Sequence, residues 1–103
     1  MDKLEQVHQW LEAGKQIGKR FSFEKNGEIC WSSVGIQKWK GAYKVYIDEI
    51  LESKMDVEEY EKEIIENFDR LHDASAFIEN NSNAEMGELT PCKGQKIFNP
   101  NFV

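Results

Sequence analysis

Reactive side chains are scarce in this chain, which has two cysteines and two histidines in 103 residues. Cys30 and Cys92 are too few and too far apart for a disulfide framework or a zinc site. Neither His8 nor His72 has a serine or cysteine at a spacing that would put a nucleophile on the same local face, and His72 beside Asp73 reads as a solvent-facing neighbour pair. Cys92, in T-P-C-K-G, has Lys93 next to it but no histidine after it. The seven glycines are scattered, so no G-x-G-x-x-G or Walker loop is available to cradle a phosphate. Acids at helical spacing lack the turn glycine and alternating Asp/Asn ligands of a calcium loop. No catalytic residue, metal or cofactor is expected.

Long apolar runs are missing too. Charged and polar residues interrupt MDKLEQVHQWLEAGK throughout, so neither a signal peptide nor a membrane span is expected there, and a cytoplasmic location follows by default. Basic charge is in deficit, with 13 Lys and Arg against 19 Asp and Glu. A net charge of −6 disfavours direct contact with nucleic acid or an anionic membrane and favours a cationic protein partner. The one basic-aromatic cluster, Lys38, Trp39, Lys40, Tyr43, Lys44 and Tyr46, is flanked by Asp48, Glu49, Glu52 and Asp56, which weakens a nucleic-acid reading of it.

What is present suits one globular domain spanning residues 1–103, since 40% of residues are hydrophobic and 12% aromatic. Asp2 and Glu5 form a capping pair for an N-terminal helix carrying Leu4, Val7 and Leu11 on one stripe, with Trp10 and Ile17 flanking it and Gly18 placed to end it. Asn26-Gly27 is the strongest hairpin signal. A two-residue loop sets Phe23 opposite Cys30, whereas a three-residue loop starting at Lys25 sets Phe23 opposite Ile29 and Phe21 opposite Trp31. The second is preferred because it buries four large groups on one face. Residues 39–53 fit both a helical stripe and an alternating strand. A lone hairpin is marginal in water, so residues 43–50 are assigned to a third strand.

Residues 57–79 read as a long amphipathic helix capped by Asp56, with Val57, Tyr60, Ile64, Phe68, Leu71, Ser75 and Ile78 inward and a break near 67–72 as an alternative. Its outer arc carries Glu59, Glu63, Glu66, Asp69 and Asp73. The segment holds eight acids and two bases while the rest of the chain balances at eleven each, so the net charge belongs to this stretch. The tail from Asn80 is irregular, yet Leu89, Ile97, Phe98 and Phe102 are costly to leave in water; residues 95–98 are expected along a sheet edge or the core, ended by Pro100. The expected class is α+β: an N-terminal helix, a three-stranded antiparallel meander, a long acidic helix and an irregular C-terminal segment.

In size, acidity, the Asn-Gly hairpin with Trp31, the acidic stretch from Val57 and the lack of catalytic residues, the chain resembles small cytoplasmic immunity proteins of bacterial polymorphic toxins, including those of contact-dependent growth inhibition systems. The resemblance implies binding to a cognate basic toxin domain, often a nuclease, and blockage of its active site or substrate surface. The residues offered for that contact are Glu59, Glu63, Glu66, Asp69 and Asp73, then Asp48, Glu49 and Glu52, with Trp39 or Tyr46 as exposed aromatic anchors. A nucleic-acid mimic of the anti-restriction or anti-CRISPR type, and a small regulatory domain whose acidic face is merely solvated, are the other readings.

Overall fold

The computed structural model describes residues 3–102, the side chain of Phe102 excepted. The chain runs through helix α1 (Lys3–Glu12), strands β1 (Ile17–Lys25), β2 (Glu28–Trp39) and β3 (Ala42–Leu51), a 3-10 turn (Glu52–Val57), strand β4 (Lys62–Phe68), helix α2 (Leu71–Asn81), a second 3-10 turn (Met86–Glu88) and the short strand β5 (Thr90–Pro91). The strands form one antiparallel sheet in the order β4-β3-β2-β1-β5. The α+β class and the N-terminal helix are present as expected; the three-stranded meander is instead four strands long, and β5 returns to pair beside β1 as the fifth strand of the sheet. Among the described residues no helix is long and apolar enough to cross a membrane.

Helix α1 buries Val7 and Leu11 and stops earlier than the sequence suggested. Gly14 adopts φ +81°, its N–H donates to the Leu11 carbonyl at 3.0 Å and the Lys15 N–H donates to the Trp10 carbonyl at 3.0 Å. This paired closure caps a helix end, with glycine taking the left-handed position at no steric cost. Gly18 therefore does not end the helix; it lies within β1, as does Ile17. The proposed Asp2 cap lies outside the described residues.

The first hairpin has the two-residue loop, which overturns the preferred register. Asn26 (φ +53°) and Gly27 (φ +78°) are both left-handed, and Phe23 pairs with Cys30 and Phe21 with Ser32. A turn with both central residues left-handed matches the twist of the flanking strands, and that fit outweighs the burial a one-residue slip would have gained. The second hairpin repeats the geometry at Lys40 (φ +51°) and Gly41 (φ +82°), and the strand expected at residues 43–50 is β3.

Alternation along this register gives the sheet two different faces. Ile17, Val34, Ile36, Val45 and Ile47 point to one side, where they form the core with Val7, Leu11, Ala74, Ile78, Met86 and Leu89. Each such side chain contributes about 1.5–3 kcal/mol on burial. The opposite face carries Arg20, Trp31, Gly35, Tyr46 and Asp48 and, among the described residues, has no helix over it; the C-terminal segment crosses it, stacking Phe98 on Tyr46 with ring centroids 5.7 Å apart.

The single helix predicted over 57–79 does not form. Asp56 sits in the 3-10 turn, Glu58 takes a left-handed φ of +53°, residues 62–68 are β4, and helix begins only at Leu71, within the break considered above. Strand β3 would otherwise expose its backbone donors and acceptors along a whole edge, and β4 satisfies them while turning Ile64 and Phe68 toward the helix side. In the C-terminal segment Leu89 and Phe98 are buried as expected. The sheet edge is taken by Thr90 and Pro91, opposite Gly18 and Ile17, while Ile97 and Phe98 lie on the open face over the two glycines of the strand pair. The expected burial of Phe102 falls outside the described side chains.

Candidate functional site

The open face of the sheet gathers most of the large apolar groups that remain in water. Trp31 is 39% exposed and Tyr60 43%, and Ile29, Met55, Val57 and Ile65 are exposed with them. Ile29 and Trp31 arrive from β2, Ile65 from β4, and Met55, Val57 and Tyr60 from the turn and the segment that follows it. Trp31, Met55 and Tyr60 among them border a groove of about 340 Å³, lined also by Arg20, Ser32, Ser33, Tyr46, Asp48, Ile50 and Ile97. A small domain has no packing reason to leave two aromatic rings and several aliphatics together on one side, and patches of this kind mark interaction surfaces.

The floor of the groove is polar. Asp48 is 8% exposed; its Oδ1 accepts the Ser33 N–H at 2.8 Å, and the Tyr46 hydroxyl lies 3.0 Å from its Oδ2. The same hydroxyl lies 2.8 Å from Glu63 Oε2 on β4. A phenol has one proton to donate, so two carboxylates compete for it. Burial pushes the Asp48 carboxyl above its ordinary range, opposed by its hydrogen bonds from Ser33 and Tyr46, and burial followed by the Glu63 hydrogen bond pushes the Tyr46 phenol strongly upward. The floor is therefore short of protons, and Arg20, which lines the same groove, supplies only the last of the influences that oppose the Asp48 shift.

This shortage has a measurable consequence. With its folded pKa raised, Asp48 binds protons more readily in the native chain than in the unfolded one, so its unfavourable contribution is complete above the folded pKa and is relieved as pH falls through it. Asp48→Asn keeps an oxygen for the Ser33 N–H and replaces the competing carboxylate with an amide. It is expected to raise stability at pH 7 by about 1 kcal/mol. Urea denaturation as a function of pH checks this: the two stability curves should converge on acidification, and parallel curves would refute the assignment.

Comparison with protein-family models, curated proteins and solved structures returns no match.

The residues proposed from sequence are dispersed by the broken helix. Glu59 is exposed between the 3-10 turn and β4, 3.6 Å from Lys54. Glu63 and Glu66 project from opposite faces of β4, Asp69 occupies the bend after it, and Asp73 is on α2 behind the sheet. Glu49 is 6% exposed on the helix side, held between Lys25 at 3.5 Å and Lys62 at 3.7 Å, and so serves the fold. Glu52 accepts a long hydrogen bond from Trp31 Nε1 at 3.4 Å, at the rim of the groove. Of the two aromatic anchors, Trp39 is half-buried at the end of β2 and Tyr46 is 8% exposed in the groove floor, not on an open surface. Asp48, Glu52, Glu63 and Tyr46 are the predicted residues that the fold brings together.

Trp31, Tyr60, Met55, Ile65 and Arg20 were absent from the sequence-derived site. A hairpin shifted by one residue turns Trp31 from the core side to the open side, so the choice of loop concealed it. Acidity does collect on this part of the molecule. Residues 48–69, which comprise the end of β3, the turn and β4, hold ten acids against two bases, while the rest of the chain has nine acids and eleven bases. Among the described residues, no group of three or more His, Cys, Asp or Glu is placed to hold a metal ion.

Proposed function

We propose that this protein is a non-enzymatic immunity protein that binds a cationic toxin domain of nuclease type and covers its active site or substrate surface. The observation that carries the reading is an exposed aromatic groove next to the acid-rich stretch 48–69, with Asp48 and Glu63 on the groove's own face and Glu52 at its rim. Exposed aromatics in a groove supply desolvated anchors for affinity. Carboxylates around them complement the lysines and arginines that a nuclease must present to phosphate, and they steer its approach. The alternative of a nucleic-acid mimic rests on a regular row of carboxylates along one helix, and these acids instead belong to a strand, a turn and a bend.

The experiment is a binding titration against the product of the neighbouring gene, which this reading expects to be a cationic toxin domain. Trp31→Ala is expected to weaken the complex by about 30-fold or more, mainly through faster dissociation. The double variant Glu61→Lys, Glu66→Lys is expected to slow association about 10-fold at low salt, with the difference fading as salt rises. Neither carboxylate makes an ion pair among the described residues, so the change leaves the folded contacts in place. Wild-type affinity and salt dependence in both variants would refute the reading.

A further inference from the structure

Strand β4 pairs with β3 on one side only and forms one margin of the sheet. In such a strand alternate residues turn their N–H and C=O groups outward, where they can pair with a further chain. Its central residues are Glu63-Ile64-Ile65-Glu66, with Glu63 and Ile65 on the open face and Ile64 and Glu66 on the helix face. Each face of the margin therefore shows one carboxylate and one isoleucine, and the order E-I-I-E is the same read in either direction.

We propose that this margin accepts an extended segment of the basic partner as a sixth strand, and that the segment carries the pattern basic-apolar-apolar-basic. The proposal rests on the reading of this protein as a binder of a basic partner, and specifies how part of that partner is held. Opposite Glu63 and Glu66 the pattern sets a lysine or arginine, and opposite the isoleucines it sets aliphatic groups, so that each cross-strand pair is favourable. Because E-I-I-E is palindromic, the same pattern fits a parallel or an antiparallel addition. Main-chain hydrogen bonds supply affinity and the alternating side chains supply selectivity, as in other strand-addition complexes.

A second copy of this chain is the poorer occupant. Aligned antiparallel on itself, E-I-I-E places Glu63 of one copy opposite Glu66 of the other, and like charges directly opposite are unfavourable. The other margin of the sheet, β1 beyond Gly18, is richer in bases, but Lys19 is 3.2 Å from Glu88 and Lys25 is 3.5 Å from Glu49, and its sequence K-R-F-S-F-E-K lacks the required order. Glu63 and Glu66 make no ion pair among the described residues, Glu63 meeting only the neutral Tyr46 hydroxyl, so the β4 margin keeps its negative charge for an incomer.

The test uses the full chain, labelled for NMR, and four synthetic peptides of equal length flanked by threonines: one containing Lys-Val-Val-Lys, one with the order Val-Lys-Lys-Val, and two with the first sequence N-methylated at alternate backbone positions, one along each edge. The first peptide is expected to shift the β4 amides and slow their hydrogen exchange, the reordered peptide to bind about 10-fold more weakly, and the peptide N-methylated on the pairing edge to lose binding. Methylation on the opposite edge should leave binding intact, so both versions are measured. Equal binding of the ordered and reordered peptides, insensitivity to methylation on either edge, shifts confined to Trp31 and Tyr60, or no binding at millimolar peptide would each overturn the proposal. Sedimentation showing edge-to-edge dimers of the protein alone would overturn it in favour of a second copy. Failure here leaves the groove reading intact, since that reading stands or falls on the Trp31 and Glu61/Glu66 variants with the toxin domain.

Discussion

Gln16→Leu is expected to destabilise the protein by about 3 kcal/mol and to free the C-terminal segment from the sheet. Gln16 is 5% exposed, and its amide joins three parts of the chain. Nε2 donates to Gln37 Oε1 at 3.0 Å and to the Phe98 carbonyl at 2.8 Å, while Oε1 accepts the Ile97 N–H at 2.8 Å and the Phe98 N–H at 3.3 Å. Leucine has similar bulk and none of these atoms. If residues 97–98 stay in place, several buried backbone groups go unpaired at about 1–3 kcal/mol each; if they lift away to find water, the burial of Phe98 on Tyr46 and of Ile97 over Gly18 is lost instead. The smaller of these penalties sets the observed value, and neither is negligible. Against a total stability of about 5–15 kcal/mol the loss is large, equivalent to a melting-point drop on the order of 15 °C for a domain of this size. Urea denaturation measures it, and hydrogen exchange at the Ile97 and Phe98 amides should accelerate well before the core unfolds. A change below about 1 kcal/mol would mean that the amide network is incidental.

The role of Gln16 illustrates what the sequence could and could not disclose. A buried glutamine just ahead of a strand carries no local signal, since its partners are 21 and 82 residues away in the chain. Where the determinants were local the reading succeeded. Asn26-Gly27 marked the first hairpin and the Leu4-Val7-Leu11 spacing marked α1, although Leu4 itself stays exposed; β3, whose pattern fitted helix and strand alike, was reached through the need of a lone hairpin for a third strand. Lys40-Gly41 makes the same turn with a lysine in the left-handed place, a residue that does not announce it.

The error over residues 57–79 has a specific physical origin. Tyr60, Ile64 and Phe68 are four apart, and a spacing of four is shared by the two regular structures: it is close to one helical turn, and, being even, it also keeps side chains on one face of a strand. The helical reading drew its extra support from Val57 and Leu71, which the structure places in a 3-10 turn and at the start of α2. Two adjacent β-branched residues, Ile64 and Ile65, were the local hint of a strand. The decisive factor was the unpaired margin of β3, which no window of sequence contains. Once the segment became a strand, a single acidic helical surface was replaced by a carboxylate-rich margin beside an aromatic groove. The net charge is where the sequence put it, in a different geometry.

Gly18→Ala should cost about 2–4 kcal/mol, a large penalty for adding one methyl group. Gly18 does not need glycine for its backbone angles. It needs glycine for space: a β-carbon built there overlaps the Val34 carbonyl oxygen and the terminal methyl of Ile97, and comes within 3.2 Å of the Gly35 α-carbon. Ile97 can turn aside, whereas the Val34 carbonyl belongs to the β1–β2 pairing and moves only if the strands part. The double variant Gly18→Ala, Ile97→Ala separates the two contributions. If the backbone collision dominates, removing the Ile97 side chain recovers little of the loss; if the side-chain collision dominates, the double variant approaches the stability of Ile97→Ala alone. Gly35→Ala is the graded control, because its added carbon meets the Phe98 ring at 3.1 Å and Ile97 at 3.3 Å, longer contacts made to side chains and not to backbone, and about 1 kcal/mol is expected. The pair of glycines thus makes the shallow seat in which residues 97–98 rest, and Ile97 is one wall of the groove that holds Trp31 and Asp48. Narrowing that seat moves the wall, so Gly18→Ala should weaken partner binding even when assayed under conditions where the chain remains folded.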